Sequence, residues 1–297
     1  MYAAGSNASS QIALPRAGDT QIFTRIEGTP WAKAADPVVR VSAGLTFSLF
    51  LTTSGKVYAC GSMEKGQLGN GRTGEHFISS NRMAFAEENT PILVKGLADK
   101  KIVEISSGQQ HSIVLDDQGF AYVWGFGGYG RLGLGNANDQ MVPVLVPQFA
   151  RENVNSRCHR VFAGPTNSVV IDRSDTYWLA GKWKTSGDGG SGQGWTSFRY
   201  MQALMGCKIR SAAMGGVTLF AIADETEAGA AEHATMNIAW GQSAGNGELG
   251  LGEGKPKSAT QPMRCEPLDG IGLLEIAAGQ NTTFCESLFG LKRAINS

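Results

Sequence analysis

Histidines and cysteines are the side chains of this sequence with the most obvious chemistry, and both are sparse. There are four histidines and five cysteines in 297 residues. No two cysteines form a CxxC pair, so their spacing predicts neither a disulfide framework nor a zinc site and fits a reducing compartment. The five cysteines are Cys60, Cys158, Cys207, Cys265 and Cys285.

His111 lies in the segment Gln109-Gln110-His111-Ser112. A metal role would need further ligands, yet Cys158-His159 is a single adjacent pair, and we expect His76 and His233 in loops. We interpret His111 mainly as a structural histidine whose ring bonds to backbone of the neighbouring repeat. A place on a partner-binding surface is the alternative.

Two further motifs could carry chemistry, and neither has the right context. Gly125 to Gly130 fits GxGxxG, but a nucleotide site needs a helix to follow, and a turn is expected here. The paired carboxylates Glu87-Glu88 and Asp116-Asp117 fall in expected turns, where solvation is the usual role. With no GxSxG elbow either, the sequence predicts no bond-making enzyme, no cofactor and no metal.

Composition indicates many short elements. Glycine accounts for 40 of 297 residues, about 13% against a usual ~7%, and is not arranged in triplets. Apolar residues make up 42%, enough for a sizeable core, and the formal net charge is zero. No apolar run approaches the ~20 residues of a membrane span, and no Lys/Arg-rich tail indicates nucleic-acid binding.

The elements that must position these residues repeat along the chain. Val41–Gly61, Ile105–Gly125 and Val161–Gly181 share one pattern of apolar strand, glycine, polar turn, second strand, second turn and third strand. Ala212–Glu225 with Asn237–Gly241 forms a fourth copy, and Glu275–Leu288 begins a fifth.

Glycine spacing tests the repeat. A first glycine ends the first strand of each unit: Gly44, Gly108, Gly164, Gly215 and Gly279. A second glycine ends the third strand: Gly61, Gly125, Gly181 and Gly241. The two are separated by 17, 17, 17 and 26 residues, and we place the extra length of the fourth unit in an exposed loop, Thr226 to Ala234.

A second signature follows the second glycine. It reads Gly66-Gln67-Leu68-Gly69, then Gly130-Arg131-Leu132-Gly133, then Gly247-Glu248-Leu249-Gly250. The third unit has instead a glycine-rich stretch, Gly187 to Gly194, which we expect to be a flexible loop.

Units of about 50 to 64 residues built from short strands predict an all-β fold, a β-propeller of four-stranded blades in one domain over 1–297. The predicted units are 41–101, 102–157, 158–206 and 207–271, with half blades at 1–40 and 272–288. We expect the first two strands of each unit nearest the axis. Segments such as Met141 to Val146 would be outermost.

At the Gly-Gln-Leu-Gly signature and the strands before it, the chain resembles the regulator of chromosome condensation repeat family. The stretches Trp124–Val146, Ile209–Gly216 and Gly247–Thr260 extend this resemblance. The resemblance implies a seven-bladed ring, whereas this sequence supplies four full units and two complementary halves. Either the two halves form one shared blade and the ring closes at five blades, or the chain is a fragment of a seven-bladed ring, and we favour the fragment.

The resemblance also implies a face that promotes nucleotide exchange on a small GTPase, using acidic and histidine side chains just after the first glycine. In this chain the position two residues after the first glycine is never an acidic residue or a histidine, which disfavours exchange activity. The residues at that position are Thr46, Gln110, Thr166, Val217 and Asn281. The candidate partner-binding face consists of Thr46, Gln109, Gln110, His111, Thr166 and Asn281.

Function is therefore predicted to be protein binding. The first hypothesis is a propeller scaffold for a small GTPase or a microtubule or chromosomal protein, in the cytoplasm or nucleus. The second is an active guanine nucleotide exchange factor. A sugar-binding or ligand-binding propeller that uses its axial funnel is a third, with no convergent polar residues to support it. Neither a nucleic-acid nor a membrane partner is expected.

Overall fold

The computed structural model describes residues 1–15, 18–184, 194–216, 218–226, 233–242 and 244–287. Within them, four four-stranded antiparallel sheets follow one another along the chain, and a two-stranded sheet lies before the first and after the last. None of the described helices is long and apolar enough to cross a membrane.

The strands are as follows. The chain begins with β1 (Tyr2–Gly5), β2 (Thr20–Arg25) and the short helix α1 (Pro30–Lys33). The first blade holds β3 (Val38–Ala43), β4 (Phe47–Thr52), β5 (Val57–Ser62), an added hairpin of β6 (His76–Ser79) and β7 (Arg82–Ala84), and β8 (Glu87–Leu93). The second holds β9 (Ile102–Ser107), β10 (His111–Asp116), β11 (Ala121–Gly125) and β12 (Gln140–Leu145). The third holds β13 (Cys158–Ala163), β14 (Asn167–Asp172), β15 (Tyr177–Gly181) and β16 (Trp195–Tyr200). The fourth holds β17 (Ile209–Met214), β18 (Leu219–Asp224), β19 (Thr235–Gly241) and β20 (Ala259–Arg264). The last sheet pairs β21 (Leu273–Ala278) with β22 (Thr283–Ser287).

Strand order within each blade confirms the predicted β-propeller arrangement. The first strands β3, β9, β13, β17 and β21 contact one another in sequence around the axis. The fourth strand of each blade lies outermost, as predicted for Met141–Val146, which overlaps β12. The chain therefore builds each blade from the centre outwards.

Identical register explains the constant glycine spacing. In the first three blades the first residue of the second strand lies opposite the second glycine: Phe47 with Gly61, His111 with Gly125, and Asn167 with Gly181. Gly61 and Gly125 have φ of +117° and +96°, a region that favours glycine. A one-residue slip would turn every side chain of the hairpin to the other face.

The core lies between blades. Every residue of β4, β5, β10 and β14 is buried, because these strands are covered on both faces, β10 and β14 by neighbouring blades and β4 and β5 by the second blade and the N-terminal residues. One cluster joins the first and second blades around Leu49 and Trp124. A second joins the second and third blades. A third extends from the third blade to β21.

The first glycines of the four full blades, Gly44, Gly108, Gly164 and Gly215, are required by packing rather than by φ. A Cβ on Gly108 would collide with the His111 ring and with the carbonyl oxygen of Gly164 in the next blade. A Cβ on Gly44 would collide with the Phe47 ring and lie 2.8 Å from the carbonyl oxygen of Gly108. Small residues at this position allow adjacent blades to approach at the axis.

The half blades form separate sheets. Among the described strands β1 pairs with β2 and β21 with β22, so the structure holds no shared four-stranded blade built from both. The β1–β2 end packs on the first blade through Leu14, Trp31 and Phe50. The predicted boundary at residue 41 falls inside β3. The predicted loops Thr226–Ala234 and Gly187–Gly194 lie mostly outside the described residues.

Candidate functional site

One side of the propeller, here called the turn face, gathers two kinds of connection. Because the strands are antiparallel, the turn after each first strand and the loop after each third strand emerge on the same side. The inner turns span 44–46, 108–110, 164–166, 215–216 and 279–282, and the outer loops begin after Ser62, Gly125, Gly181 and Gly241. The candidate residues Thr46, Gln109, Gln110, Thr166 and Asn281 belong to the inner turns, and Val217 lies outside the described residues.

The inner turns surround an axial cavity of about 390 Å³. Of the candidate residues only Gln109 lines this cavity; Gln109 and Asn281 are exposed, and Thr46, Gln110 and Thr166 are half-buried. Backbone glycine, alanine and serine supply most of the described lining, and no charged side chain is part of it. The cavity therefore lacks the convergent polar groups that a sugar or cofactor site uses.

The position two residues after the first glycine has a backbone role. The carbonyl oxygens of Thr46, Gln110 and Thr166 each accept an N–H from the residue after the second glycine, at 2.9 Å in all three blades. The turn is thus tied to the end of the third strand without using the side chain. Different side chains are tolerated there for this reason.

His111 does not belong to the partner-binding face, and its assignment to that face was wrong. The side chain is fully buried, with Nε2 2.9 Å from Ser168 Oγ of the next blade. Burial, and then the nearby Arg131 charge, lower the pKa of His111 to about 3. The imidazole is therefore neutral and part of the contact between blades, as the structural interpretation predicted, but its partner is the Ser168 hydroxyl rather than backbone.

Hydroxyl groups join successive blades at the Gly-Gln-Leu-Gly signature. Ser48 Oγ donates to the Gln11 carbonyl at 2.7 Å, and Ser168 Oγ donates to the Arg131 carbonyl at 2.7 Å. Thr283 Oγ1 donates to the Glu248 carbonyl at 2.8 Å. In each case the acceptor is the second residue of the signature, or its counterpart at Gln11.

The second and fourth blades depart from this pattern. In the second blade the indole Nε1 of Trp124 donates to the Gln67 carbonyl at 2.8 Å instead. The fourth blade has Leu219 where the others have a hydroxyl, next to the third unit, which lacks the signature. The signature residues therefore hold blades together and are not a binding motif.

Cations and aromatic rings alternate across the outer loops of the first three blades, in what we call the cation–aromatic strip: Lys65, Phe126, Arg131, Tyr129 and Lys182. Lys65 Nζ lies 5.6 Å, and the Arg131 guanidinium carbon 4.6 Å, from the Phe126 ring centre. Lys182 Nζ lies 5.3 Å from the Tyr129 ring centre. Tyr129 is 41% exposed, so the strip offers partners both apolar surface and positive charge.

Arg131 anchors this strip. Its Nε donates to the Gly128 carbonyl and its Nη1 to the Pro165 carbonyl of the next blade, both at 2.9 Å. Burial lowers its pKa to about 10, so the guanidinium stays charged at neutral pH. The rings of Phe126 and Tyr129 are thereby positioned by a rigid cation.

The hairpin β6–β7 is the most apolar exposed element of the turn face, and sequence reasoning missed it. Phe77 is 71%, Ile78 52% and Met83 46% exposed. Its base is fixed by backbone bonds from Met63 N to Ala86 O at 3.1 Å and from Ala86 N to Gly74 O at 2.9 Å. The interval of 64 residues between Gly44 and Gly108, longer than the next two, could have revealed an added element.

The chemistry available to this face is that of binding. No group of three His, Cys, Asp or Glu side chains stands together as a metal site within the described ranges. The GxGxxG segment Gly125–Gly130 ends in a 3-10 turn at Gly128–Gly130, so no helix N-terminus is present to hold phosphate. Exposed apolar side chains and fixed cations are the groups that the face offers.

Comparisons with known proteins agree with this fold. Residues 54–115 and 118–171 match the family model described as Regulator of chromosome condensation (RCC1) repeat, and a second model of that description matches 38–67 and 102–131. The chain is 30% identical to Protein RCC2 homolog of Xenopus laevis over 95% of its own length and 53% of that protein. It is 32% identical to Protein RCC2 of Homo sapiens over 82% of its length and 46% of that protein. The chain thus spans about half the length of these curated relatives.

Solved structures show the same architecture. Human WBSCR16 superposes with a TM-score of 0.73 at 17% identity, covering 97% of this chain and 67% of that one. Yeast RCC1 (Prp20), bound to Kap60, superposes with a TM-score of 0.56 at 15% identity, covering 96% and 75%. The family-model matches show that this chain contains regulator of chromosome condensation repeats, and the superpositions show that it has the β-propeller fold.

Proposed function

We propose that this chain is a protein-binding propeller whose turn face engages a small GTPase, and that it makes and breaks no bonds itself. The observation that carries the proposal is the hairpin β6–β7, which projects apolar side chains from a fixed base beside the cation–aromatic strip. Such apolar exposure on a rigid element is typical of an interaction surface.

The hairpin offers enough apolar surface to matter for affinity. Burying a Phe or Met side chain is worth about 1.5–3 kcal/mol, so Phe77 and Met83 together could contribute several kcal/mol to a complex. These residues face each other across the hairpin as a cross-strand pair. Binding should cost little conformational entropy in the hairpin, because backbone hydrogen bonds already fix the base of the hairpin.

The choice of a small GTPase rests on the family. One solved relative, Prp20p of Saccharomyces cerevisiae, was described together with its binding properties to Gsp1p and histones, and superposes with a TM-score of 0.53 at 14% identity. That identity carries the fold alone, so the partner class is a proposal for this chain.

The proposal can be tested by immobilising the chain and measuring which members of a panel of nucleotide-free small GTPases it captures. We expect at least one member to bind, and the double variant Phe77→Ser/Met83→Ser to weaken that binding more than tenfold. Val154→Ser is the matched control, because Val154 is 46% exposed on the opposite side. Capture of no GTPase, or undiminished binding by the double variant, would count against it.

Exchange activity is the alternative function. An exchange factor holds the empty GTPase more tightly than the loaded one and so shifts its population. The side chains of Thr46, Gln110 and Thr166 supply neither a carboxylate nor an imidazole to this face. The rate at which a small GTPase releases a labelled nucleotide distinguishes binding from exchange activity. We expect this rate to be the same with the chain as in buffer alone, and a substantial acceleration would establish exchange activity.

A further inference from the structure

A second surface lies at the outer rim of the third blade, away from the hairpin. This rim pocket has a volume of about 700 Å³. It follows the outermost strand β16 and is bordered by the connection from the second blade. The residues used below are Arg151, Trp178, Trp183, Lys184, Trp195 and Tyr200.

Aromatic rings dominate the pocket wall. Trp183 and Trp195 have ring centres 5.4 Å apart, and Trp178 and Tyr200 have ring centres 5.9 Å apart. Tyr200 is 52% exposed, and Trp178 and Trp195 are half-buried. Tryptophan, tyrosine and arginine are the residue types that most often carry the binding energy of protein interfaces.

Two indole N–H groups of this wall lack acceptors. Trp183 is only 8% exposed, and its Nε1 has no hydrogen-bond partner in the described parts of the chain. The same holds for Nε1 of Trp195. A buried donor left unpaired costs about 1–3 kcal/mol in each ring.

The charges of the pocket are of one sign. Lys184 Nζ lies 4.8 Å from the Trp183 ring centre, and Arg151 is exposed at the opposite border. Across the residues that the structure describes, neither cation has an ion-pair partner, and no aspartate or glutamate lines the pocket. The pocket is therefore complementary to an anionic ligand with apolar groups.

We propose that the rim pocket binds a short acidic peptide segment of a partner protein. An apolar side chain of the segment packs against Trp195 and Tyr200, and its carboxylates lie toward Arg151 and Lys184. This site meets the turn face only at Trp183 and Lys184 and otherwise follows the outer strand of the third blade, so it extends the function beyond a single partner surface.

A peptide fits these observations better than a nucleic acid does. Single strands also stack on aromatic side chains, but their binding grooves follow the backbone with a row of cations over several nucleotides. Here three cations, Arg151, Lys184 and Arg199, border one concavity, and the chain as a whole has a formal net charge of zero.

Selection from a display library of random twelve-residue peptides on the full chain tests the proposal. We expect enriched peptides to combine aspartate or glutamate with a large apolar residue. The most enriched peptide, made synthetically, should change the tryptophan fluorescence on binding, since three tryptophans line the pocket. The double variant Arg151→Glu/Lys184→Glu should lose affinity at least tenfold.

Lys95→Glu is the matched control, because Lys95 is exposed on the first blade and does not line this pocket. Its affinity for the peptide should equal that of the native chain, and circular dichroism should confirm that all variants fold. A library without binders, enriched peptides without acidic residues, or full affinity in the double variant would overturn the proposal. Equal fluorescence changes with a ten-nucleotide oligothymidylate would overturn it in favour of a nucleic acid.

Discussion

Replacing His111 with phenylalanine should remove most of the acid sensitivity that this side chain gives to the fold. Phenylalanine is a suitable replacement because Phe47 occupies the same position in the first blade and packs its ring against Gly44, as His111 packs against Gly108. Ser168 would keep its hydrogen bond to the Arg131 carbonyl. The blade contact therefore survives the change.

The magnitude follows from the pKa. Burial lowers the pKa of His111 from 6.5 to about 3. Between these values the unfolded chain binds the proton and the folded chain does not, so the free energy of unfolding falls as the pH falls through this window. At pH 4.5, two pH units below the unfolded pKa, the loss amounts to about 3 kcal/mol at ~1.36 kcal/mol per unit.

Urea unfolding followed by tryptophan fluorescence at pH 7.0 and pH 4.5 measures this difference. The native chain should lose about 3 kcal/mol more than His111→Phe between the two values. Carboxylates contribute equally to both proteins and cancel in the comparison. His76→Gln is the control for the loss of a histidine outside the blade contact, since His76 is exposed.

Equal pH dependence of the native chain and His111→Phe, within about 0.5 kcal/mol, would refute the reasoning. It would mean that His111 takes up its proton at a similar pH folded and unfolded, and hence that it is not enclosed between blades.

Three further predictions concern the contacts between blades and the burial of cysteines. Gly108→Ala should lower the free energy of unfolding in urea by more than about 3 kcal/mol, because the new Cβ would collide with the carbonyl oxygen of Gly164. Gly279→Ala is the control and should be nearly neutral, because its Cβ would lie 3.6 Å from the carbonyl oxygen of Thr282. Ser168→Ala should cost about 1–3 kcal/mol, since it leaves His111 Nε2 and the Arg131 carbonyl unpaired; Ser112→Ala should cost far less, because Ser112 Oγ has no partner among the described residues. Burial raises the pKa of Cys60 and Cys265 to about 12. Iodoacetamide at pH 8 should therefore label the exposed Cys285 and leave Cys60 and Cys265 unmodified, which mass spectrometry measures.

The propeller was predictable from sequence because its cause is periodic. The 17-residue interval from Gly44 to Gly61 recurs in the next two units because Phe47, His111 and Asn167 each lie opposite a second glycine. The order of the strands from the axis to the rim was also predictable, because the first two strands of each unit are apolar.

The site was less predictable because it depends on how units meet. The sequence placed His111 in a turn, but only the packing of adjacent blades shows that its ring is buried against Ser168. The hairpin β6–β7 interrupts the repeat and has no counterpart in it. The cation–aromatic strip joins side chains from three units, and no single unit contains its pattern.

Amide hydrogen exchange of the chain, recorded alone and with each nucleotide-free small GTPase of the panel, tests the central claim most directly. We predict that at least one GTPase slows exchange in the hairpin, residues 76–84, and in the loop at 126–131 of the turn face. Exchange unchanged by every GTPase, or slowed only at 53–56 and 94–101 on the opposite side, would contradict the claim that the turn face is the partner-binding surface.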